Sequence, residues 1–302
     1  MTFFFPWRRA LRKKSFWFSL LVILGLGIVA VLAPQLAPYD PYEGSARQSS
    51  LPPAWVQDVP PFGSILYPLG TDRYGRDNLS RLIYGTRTAF CLALMAVPLA
   101  ALLGTSIGLV AGYYGGRLDE LLRWLIDVMQ ALPGILFLVI IVLVLRERME
   151  PSWFHGLLTL VIGYAAVSWA GLARLVRVQA LQLKSQPFVE AAVCLGASRF
   201  SILVNHLFPN VLNLVLAWVI NNIPAVILVE ALLGYIGVGV TRAVDGGEFT
   251  TVSWGGIFFS GRSAMSRNPL MLIIPSLCIL LLSASFILLA DFIHESSHPS
   301  ED

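Results

Sequence analysis

Six stretches of mainly apolar residues alternate with polar segments along this chain. A helix needs about 20 predominantly apolar residues to cross the hydrocarbon core of a membrane, and these stretches are close to that length or longer. Because a backbone in lipid must satisfy its own hydrogen bonds, the pattern predicts an all-α polytopic membrane protein with six transmembrane helices. The predicted spans are Phe16–Ala33, Thr88–Tyr114, Leu121–Leu145, Leu157–Val178, Val211–Val240 and Leu270–Phe292.

The first stretch has one property of a signal peptide, since a basic segment with Arg8, Arg9 and Arg12 precedes it. Its apolar core is longer than the about 7–15 residues of a signal-peptide core. We therefore expect a retained membrane anchor.

The second stretch carries Gly104, Gly108 and Gly112 four residues apart. Glycines at this spacing remove side-chain bulk along one ridge of a helix, so that another helix can approach closely. The ridge fits packing inside this chain and contact with another subunit equally well.

Composition narrows the class of protein further. The chain has 302 residues, of which 56% are hydrophobic and 13% charged, whereas soluble domains carry about 25% charged residues. A net charge of +3 does not favour nucleic acid as a partner. The three cysteines and four histidines show no metal-ligand spacing, so we expect no metal site.

The distribution of basic residues predicts the orientation. With the N-terminus in the cytoplasm, all three lysines fall on the inside. Many of the arginines assigned to the outside lie in or next to one long loop, Pro34–Arg87, and long loops cross a membrane with less regard to charge. This orientation places both termini and the polar segment 184–210 in the cytoplasm.

Signals for two short helices follow one another in that polar segment. Ser185 is a candidate N-cap before Pro187, and Gly196 is suited to end the first helix in a left-handed conformation. Ser198 is a candidate cap for a second helix, Arg199–Phe208. Pro209 is expected to break the chain before the next span.

The residues of this segment match a known pattern. Glu190-Ala191-Ala192, then Gly196-Ala197, His206 and Pro209, resemble the EAA loop of permease subunits in ATP-driven (ABC) importers. The Gly-Ala-Ser and His-Leu-Phe-Pro-Asn blocks are similar to the dipeptide/oligopeptide/nickel branch of that superfamily.

Two further blocks extend the resemblance. The first is similar to the signature before the first core helix of the C-type subunit and comprises Gly70, Thr71, Asp72, Gly75, Arg76, Asp77, Ser80 and Arg81. The second contains Glu230-Ala231, Gly237-Val238-Gly239 and Ser253-Trp254-Gly255. The chain departs from the pattern in the 240–252 insertion and in the polar tail 294–302, and the functions of both are left open.

The resemblance implies a type I ABC importer permease fold with a defined layout. Residues 1–35 would form the cytoplasmic N-terminus and first helix, and residues 36–87 an extracytoplasmic loop. The five-helix core would occupy 88–293, with the coupling loop at 184–210, and the tail 294–302 would be cytoplasmic.

The resemblance also implies partners: a second permease subunit, two ATPase subunits, an extracytoplasmic solute-binding protein and membrane lipid. The sequence lacks a phosphate-binding GxxxxGK[ST] motif, so ATP and Mg are expected on the ATPases, and this subunit is expected to be non-catalytic. The EAA residues would dock in an ATPase groove, with Ala191 and Ala192 as a small, close-packing surface. The cargo would be a short peptide or a related small solute.

Polar residues near the spans allow other interpretations. Glu230, with Asn221 and Asn222 on the same predicted helix, fits a gate or a translocation path, and Glu230 fits a structural hydrogen bond equally well. A gradient-driven carrier that uses such acids is the alternative function. Before the second span, Leu79, Leu82 and Ile83 form an apolar stripe, which predicts an interfacial amphipathic helix.

Overall fold

The structure, a computed structural model, describes residues 13–57, 62–148, 153–240, 251–266 and 268–297. In these ranges it is helical apart from short connections and one long, mostly non-helical segment between residues 37 and 77, and it contains a single isolated β-bridge. The helices are α1 (Lys14–Val31), α2 (Ala33–Leu36), α3 (Asn78–Tyr114), α4 (Gly116–Ala131), α5 (Gly134–Arg148), α6 (Trp153–Lys184), α7 (Pro187–Cys194), α8 (Arg199–Ile202), α9 (Phe208–Tyr235), α10 (Trp254–Ala264) and α11 (Leu270–Ser297). A 3₁₀ turn covers Ala46–Gln48, and a π-helical turn, Leu203–Leu207, joins α8 to α9.

Five helices are long and apolar enough to cross a membrane by themselves, and α4 with α5 makes a sixth span if this pair crosses as one. The pair is bent by 93°, so the prediction of one regular helix over Leu121–Leu145 is wrong. Pro133 stands at the break. A proline ring disfavours the helical conformation in the residue before it, and Leu132 is extended, with φ −75° and ψ 139°.

The fifth predicted span also ends earlier than expected, at Tyr235. Gly237 is left-handed, with φ +86°. The Gly237 N–H donates to the Gly234 carbonyl and the Val238 N–H to the Leu233 carbonyl, the pattern that closes a helix at a left-handed glycine. The helix that follows, α10, was not foreseen. Its signal is Ser253, whose hydroxyl accepts from the Gly256 N–H at 3.1 Å.

The described residues fall into two compact units. The first comprises the chain up to residue 94, residues 142–160 and everything from 223 onward. In it α1 packs on α11, where the Phe16 and Phe292 rings meet edge to face at 5.6 Å. Lys13 lies 5.0 Å above the Phe292 ring.

The second unit comprises residues 95–141 and 161–222, and the glycine ridge of α3 packs on α6 inside it. A Cβ atom on Gly104 would lie 2.7 Å from the Trp169 carbonyl oxygen, and one on Gly108 2.6 Å from that of Ala173. A Cβ atom on Gly112 would lie 2.6 Å from the Ala180 Cβ. The predicted close approach is confirmed, and it is made within this chain.

Replacing Gly108 with Val should therefore destabilise this unit. The added side chain meets backbone and the Val176 Cβ, which cannot move aside as the end of a flexible side chain would, and overpacking of this kind costs about 1–3 kcal/mol or more. Thermal unfolding of the detergent-solubilised protein measures the effect. The matched control is Gly171→Val on α6, where a Cβ meets nothing within 4 Å; equal losses in the two variants would contradict the packing argument.

Candidate functional site

The helix signals in segment 184–210 are confirmed at Gly196 and Ser198. Gly196 has φ +81°; its N–H donates to the Val193 carbonyl and the Ala197 N–H to the Ala192 carbonyl, both at 3.0 Å. This is a Schellman motif, which favours glycine at the left-handed position. The Ser198 hydroxyl accepts from the Ser201 N–H at 3.2 Å and so caps α8.

Two details of that prediction are wrong. The N-cap of α7 is Gln186, without a side-chain cap, and the Ser185 hydroxyl instead donates to the Gln182 carbonyl at 3.1 Å. Pro209 does not break the chain, because helical structure continues from Arg199 to Tyr235. The π-helical turn before it widens the helix, with the Phe208 N–H bonded to the Leu203 carbonyl; proline at the start of a regular helix loses no required hydrogen bond.

The two faces of α7 differ sharply. Val189 and Ala192 are 2% and 7% exposed and belong to one apolar core with residues of α3, α6 and α9. Ala192 therefore does not lie on an outer surface as predicted, because it stands three residues from Val189 on the inward stripe. Ala197 is half-buried against the same core.

The outward side of α7 and α8 is apolar and open. We call it the α7–α8 surface and define it by Phe188, Glu190, Ala191, Val193, Leu195 and Phe200, all exposed. Leu195 is 88% and Phe200 74% exposed. Contiguous exposed apolar side chains of this kind mark interaction sites. The His206 side chain is partly buried in the π-helical turn, and the His206 carbonyl accepts from the Asn210 amide at 2.6 Å.

Two basic residues of segment 184–210 contact aromatic rings at the junction of α3 and α4. Arg199 lies 5.7 Å from the Tyr114 ring centroid and Lys184 lies 5.7 Å from that of Tyr113. Gly115 and Gly116 follow directly, with φ +67° and +59°, so this junction is built from consecutive left-handed residues. Arg199 thus connects the start of α8 to the α3–α4 junction, and Lys184, the last residue of α6, contacts the same junction.

The signature residues before α3 form a buried ionic network rather than a surface. Asp72 Oδ2 accepts from Arg76 Nη2 at 2.5 Å and Arg81 Nη1 at 2.7 Å. Its Oδ1 accepts from the backbone N–H groups of Tyr74 and Arg76 at 2.9 and 3.0 Å. Burial alone would raise the pKa of Asp72, but the charges of Arg81 and Arg76 and the hydrogen bonds from Arg76 outweigh it and lower the pKa.

Other members of the signature position this network. Asp77 caps α3, accepting from the Ser80 N–H at 2.8 Å and the Ser80 hydroxyl at 2.6 Å. Thr71 pairs with Asp77 in the isolated β-bridge, and its hydroxyl accepts from the Leu51 N–H at 2.9 Å. Gly70 and Gly75 are left-handed, with φ +71° and +75°, and a side chain on either would meet backbone atoms of the preceding loop.

The predicted amphipathic helix is corrected in two respects, since it is not a separate element and two of the arginines of its segment are buried, while its position at a membrane interface remains a prediction. Residues 78–87 are helical, but they are the first turns of α3, and Arg76 and Arg81 are each 1% exposed. An interfacial helix would turn its charges to water, whereas here they face inward because Asp72 neutralises them.

Glu230 is buried, at 3% exposure. One carboxylate oxygen accepts from the Gly255 N–H at 3.3 Å, in the first turn of α10, where a negative group is favoured. The contact is a structural hydrogen bond, one of the two interpretations left open by the sequence, and the gate function of Glu230 remains a prediction.

Asn221 and Asn222 donate to carbonyls one turn back on α9, at 3.0 and 2.8 Å. The Tyr164 hydroxyl lies 3.5 Å from Asn222 Oδ1. Each bond uses one amide N–H within the helix, and a path-lining function for these residues also remains a prediction.

Sequence reasoning missed the structural importance of Trp254 and Asn268. The Trp254 indole N–H donates to the Leu82 carbonyl at 3.1 Å, and the Asn268 amide donates to the Leu69 carbonyl at 3.0 Å. Both side chains are buried and tie distant parts of the first unit to the signature segment. The Ser-Trp-Gly block was the only available signal, and Asn268 carried none.

Apolar spans joined by an ordered, exposed helical segment define a multi-pass membrane protein of the permease class. Residues 104–300 match the family described as binding-protein-dependent transport system inner membrane component, and the chain belongs to this family. Residues 6–53 match the N-terminal TM domain of oligopeptide transport permease C, which fits the predicted membrane anchor. The type I ABC importer permease fold expected from the sequence is confirmed by this membership.

Relatives of known name resemble nearly the whole chain. It is 33% identical to the dipeptide transport system permease protein DppC of Haemophilus influenzae, over 95% of this chain and 94% of that protein. It is 32% identical to DppC of Bacillus subtilis, over 97% of this chain and 84% of that protein. It is 31% identical to the glutathione transport system permease protein GsiD of Pectobacterium atrosepticum, over 97% of this chain and 89% of that protein. The chain is thus an ABC importer permease of the dipeptide/oligopeptide branch.

Proposed function

We propose that this permease forms, with a second permease subunit, the membrane path for short peptides or a related small solute. The cargo class rests on the relatives reported above, which are named as permease proteins of dipeptide and glutathione transport systems. Two ATPase subunits would bind ATP and Mg and drive the cycle, and a solute-binding protein would deliver the cargo. Both termini would lie in the cytoplasm, with residues 36–87 on the other side of the membrane.

The single observation that carries the coupling proposal is the α7–α8 surface. Apart from Glu190, its residues are apolar, and all are exposed, while the opposite side of α7 is fixed in the core. A short helix anchored on one side, with exposed apolar residues on the other, is suited to insert into a groove on a partner. Its exposed Glu190 and Ala191 and the Gly196 turn would form the ATPase contact, with Arg199 and Lys184 passing the movement to the α3–α4 junction.

The alternative of a gradient-driven carrier receives less support. It requires an intramembrane acid that gains and loses a proton, and the contact seen at Glu230 is a hydrogen bond from the Gly255 N–H. Membership of a binding-protein-dependent family also favours the importer.

A native cysteine provides the test of ATPase docking. Cys194 is exposed at the end of α7, whereas Cys91 and Cys278 are partly buried. In a Cys91→Ser, Cys278→Ser background, benzophenone-maleimide on Cys194 should, on irradiation of the complete complex, cross-link to an ATPase subunit, identified by mass spectrometry. The matched control moves the probe to Ser263→Cys, an exposed position on α10, and replaces Cys194 with Ser. It should yield no ATPase product. Failure of Cys194 to capture the ATPase would contradict the proposal.

A further inference from the structure

Two arginines from different elements of the first unit contact one aromatic ring. Arg262, in the last turn of α10, has its guanidinium carbon 4.4 Å from the centroid of the Phe259 ring. Arg73, in the turn before α3, lies 6.0 Å from the same centroid and 4.6 Å from that of Tyr74. We call Arg73, Tyr74, Phe259 and Arg262 the arginine patch.

The arginine patch carries positive charge that no ion pair among the described residues neutralises. Arg73 and Arg262 are exposed, and within the described ranges neither makes an ion pair. Arg76 and Arg81, only a few residues from Arg73, behave differently, because both are buried on Asp72. Asp72 thus neutralises Arg76 and Arg81, whereas the neighbouring Arg73 stays exposed.

The patch is also held in place. The Arg73 carbonyl accepts from the Ser49 hydroxyl at 2.8 Å, and the turn around Arg73 closes with the Gly75 N–H on the Asp72 carbonyl at 2.9 Å. A guanidinium stacked on a ring keeps its edge N–H groups free, and these are suited to bidentate contact with carboxylates. Little side-chain freedom remains to be lost when an acidic group binds.

We propose that the arginine patch docks an acidic surface of the solute-binding protein on which this family's transport depends. The inference rests on the proposed function. Under the proposed function, residues 36–87, which include Arg73, lie on the extracytoplasmic side of the membrane. The patch therefore belongs on the side where a binding protein arrives. Anionic lipid is a weaker partner for it, since such sites gather about 4–8 basic residues, typically next to the cytoplasmic leaflet.

The test uses the complete transporter complex in nanodiscs of purely zwitterionic lipid, with the solute-binding protein purified from the same organism. For the double variant Arg73→Gln, Arg262→Gln, we expect the association rate constant at low salt to fall about three- to tenfold. Its dependence on salt should become weaker, because removing exposed charges reduces long-range attraction. The matched variant Arg73→Lys, Arg262→Lys keeps the charge and should stay close to the unmodified complex.

Each outcome decides one question. Unchanged rate and salt dependence in the glutamine variant overturn the inference. So does a loss that occurs only in nanodiscs containing phosphatidylglycerol, which would identify a lipid site. The ATPase cross-link from Cys194 is independent of both arginines, so its failure contradicts the proposed function, whereas its success beside unchanged docking contradicts the arginine patch alone.

Discussion

We expect the Asp72→Asn variant to fold poorly, so that little folded protein is present in the membrane. The substitution keeps the size of the side chain but removes the carboxylate that Arg76 and Arg81 share, and both arginines are fully buried. Breaking a buried ion pair from one side costs about 3–5 kcal/mol, because an uncompensated charge stays in a low-dielectric site. That is a large part of the about 5–15 kcal/mol that stabilises a typical domain.

Asp40→Asn is the matched control for this prediction. Asp40 is exposed in the same loop and, like Asp72, accepts the N–H of the residue two positions on, here Tyr42, at 2.8 Å. It makes the same local turn without a buried ion pair, so its substitution should change the thermal unfolding temperature little. The measurement is the yield of monodisperse protein after solubilisation and its unfolding temperature. Similar behaviour of the two variants would show that the buried charges do not stabilise the fold.

The contrast between these aspartates shows where sequence reasoning stops. The mixture of Asp72, Arg76, Arg81 and apolar residues has the composition of an amphipathic surface helix, and local periodicity does not record whether charges pair with one another. Their pairing depends on a turn at Gly75 and on a loop tens of residues earlier, which places Ser50 against the Asp72 carbonyl at 2.8 Å. Such long-range contacts decide burial and leave no periodic signal.

Features with a local physical cause were predictable. The apolar runs indicated the spans, the glycine spacing indicated a close helix approach without naming the partner helix, and Gly196 and Ser198 indicated the turn between α7 and α8. Prolines were harder, since Pro133 marks a 93° bend whereas Pro209 is accommodated by a π-helical turn. The chemistry of one residue is the same in both places, and the neighbouring backbone determines which result follows.

The second large effect is expected at Gly196, in the turn between α7 and α8. We expect Gly196→Arg to abolish ATP-driven uptake of a labelled peptide while the protein still inserts into the membrane. A Cβ here meets nothing within 4 Å, so the fold has room for the new side chain. The substitution instead places charge and bulk beside the exposed Leu195, and it strains a left-handed position by about 1–2 kcal/mol.

Backbone strain and lost docking are separated by two further variants. Gly196→Ala carries the cost of the left-handed conformation without charge or bulk, and Gly196→Asn carries less of it, because asparagine tolerates this conformation. If docking is decisive, both should retain most uptake, and the arginine variant alone should fail to retain the ATPase subunits during purification. If alanine impairs uptake as strongly as arginine while the ATPases remain bound, the geometry of the turn is what matters. Uptake by the arginine variant at the normal rate would contradict any function of this turn in coupling.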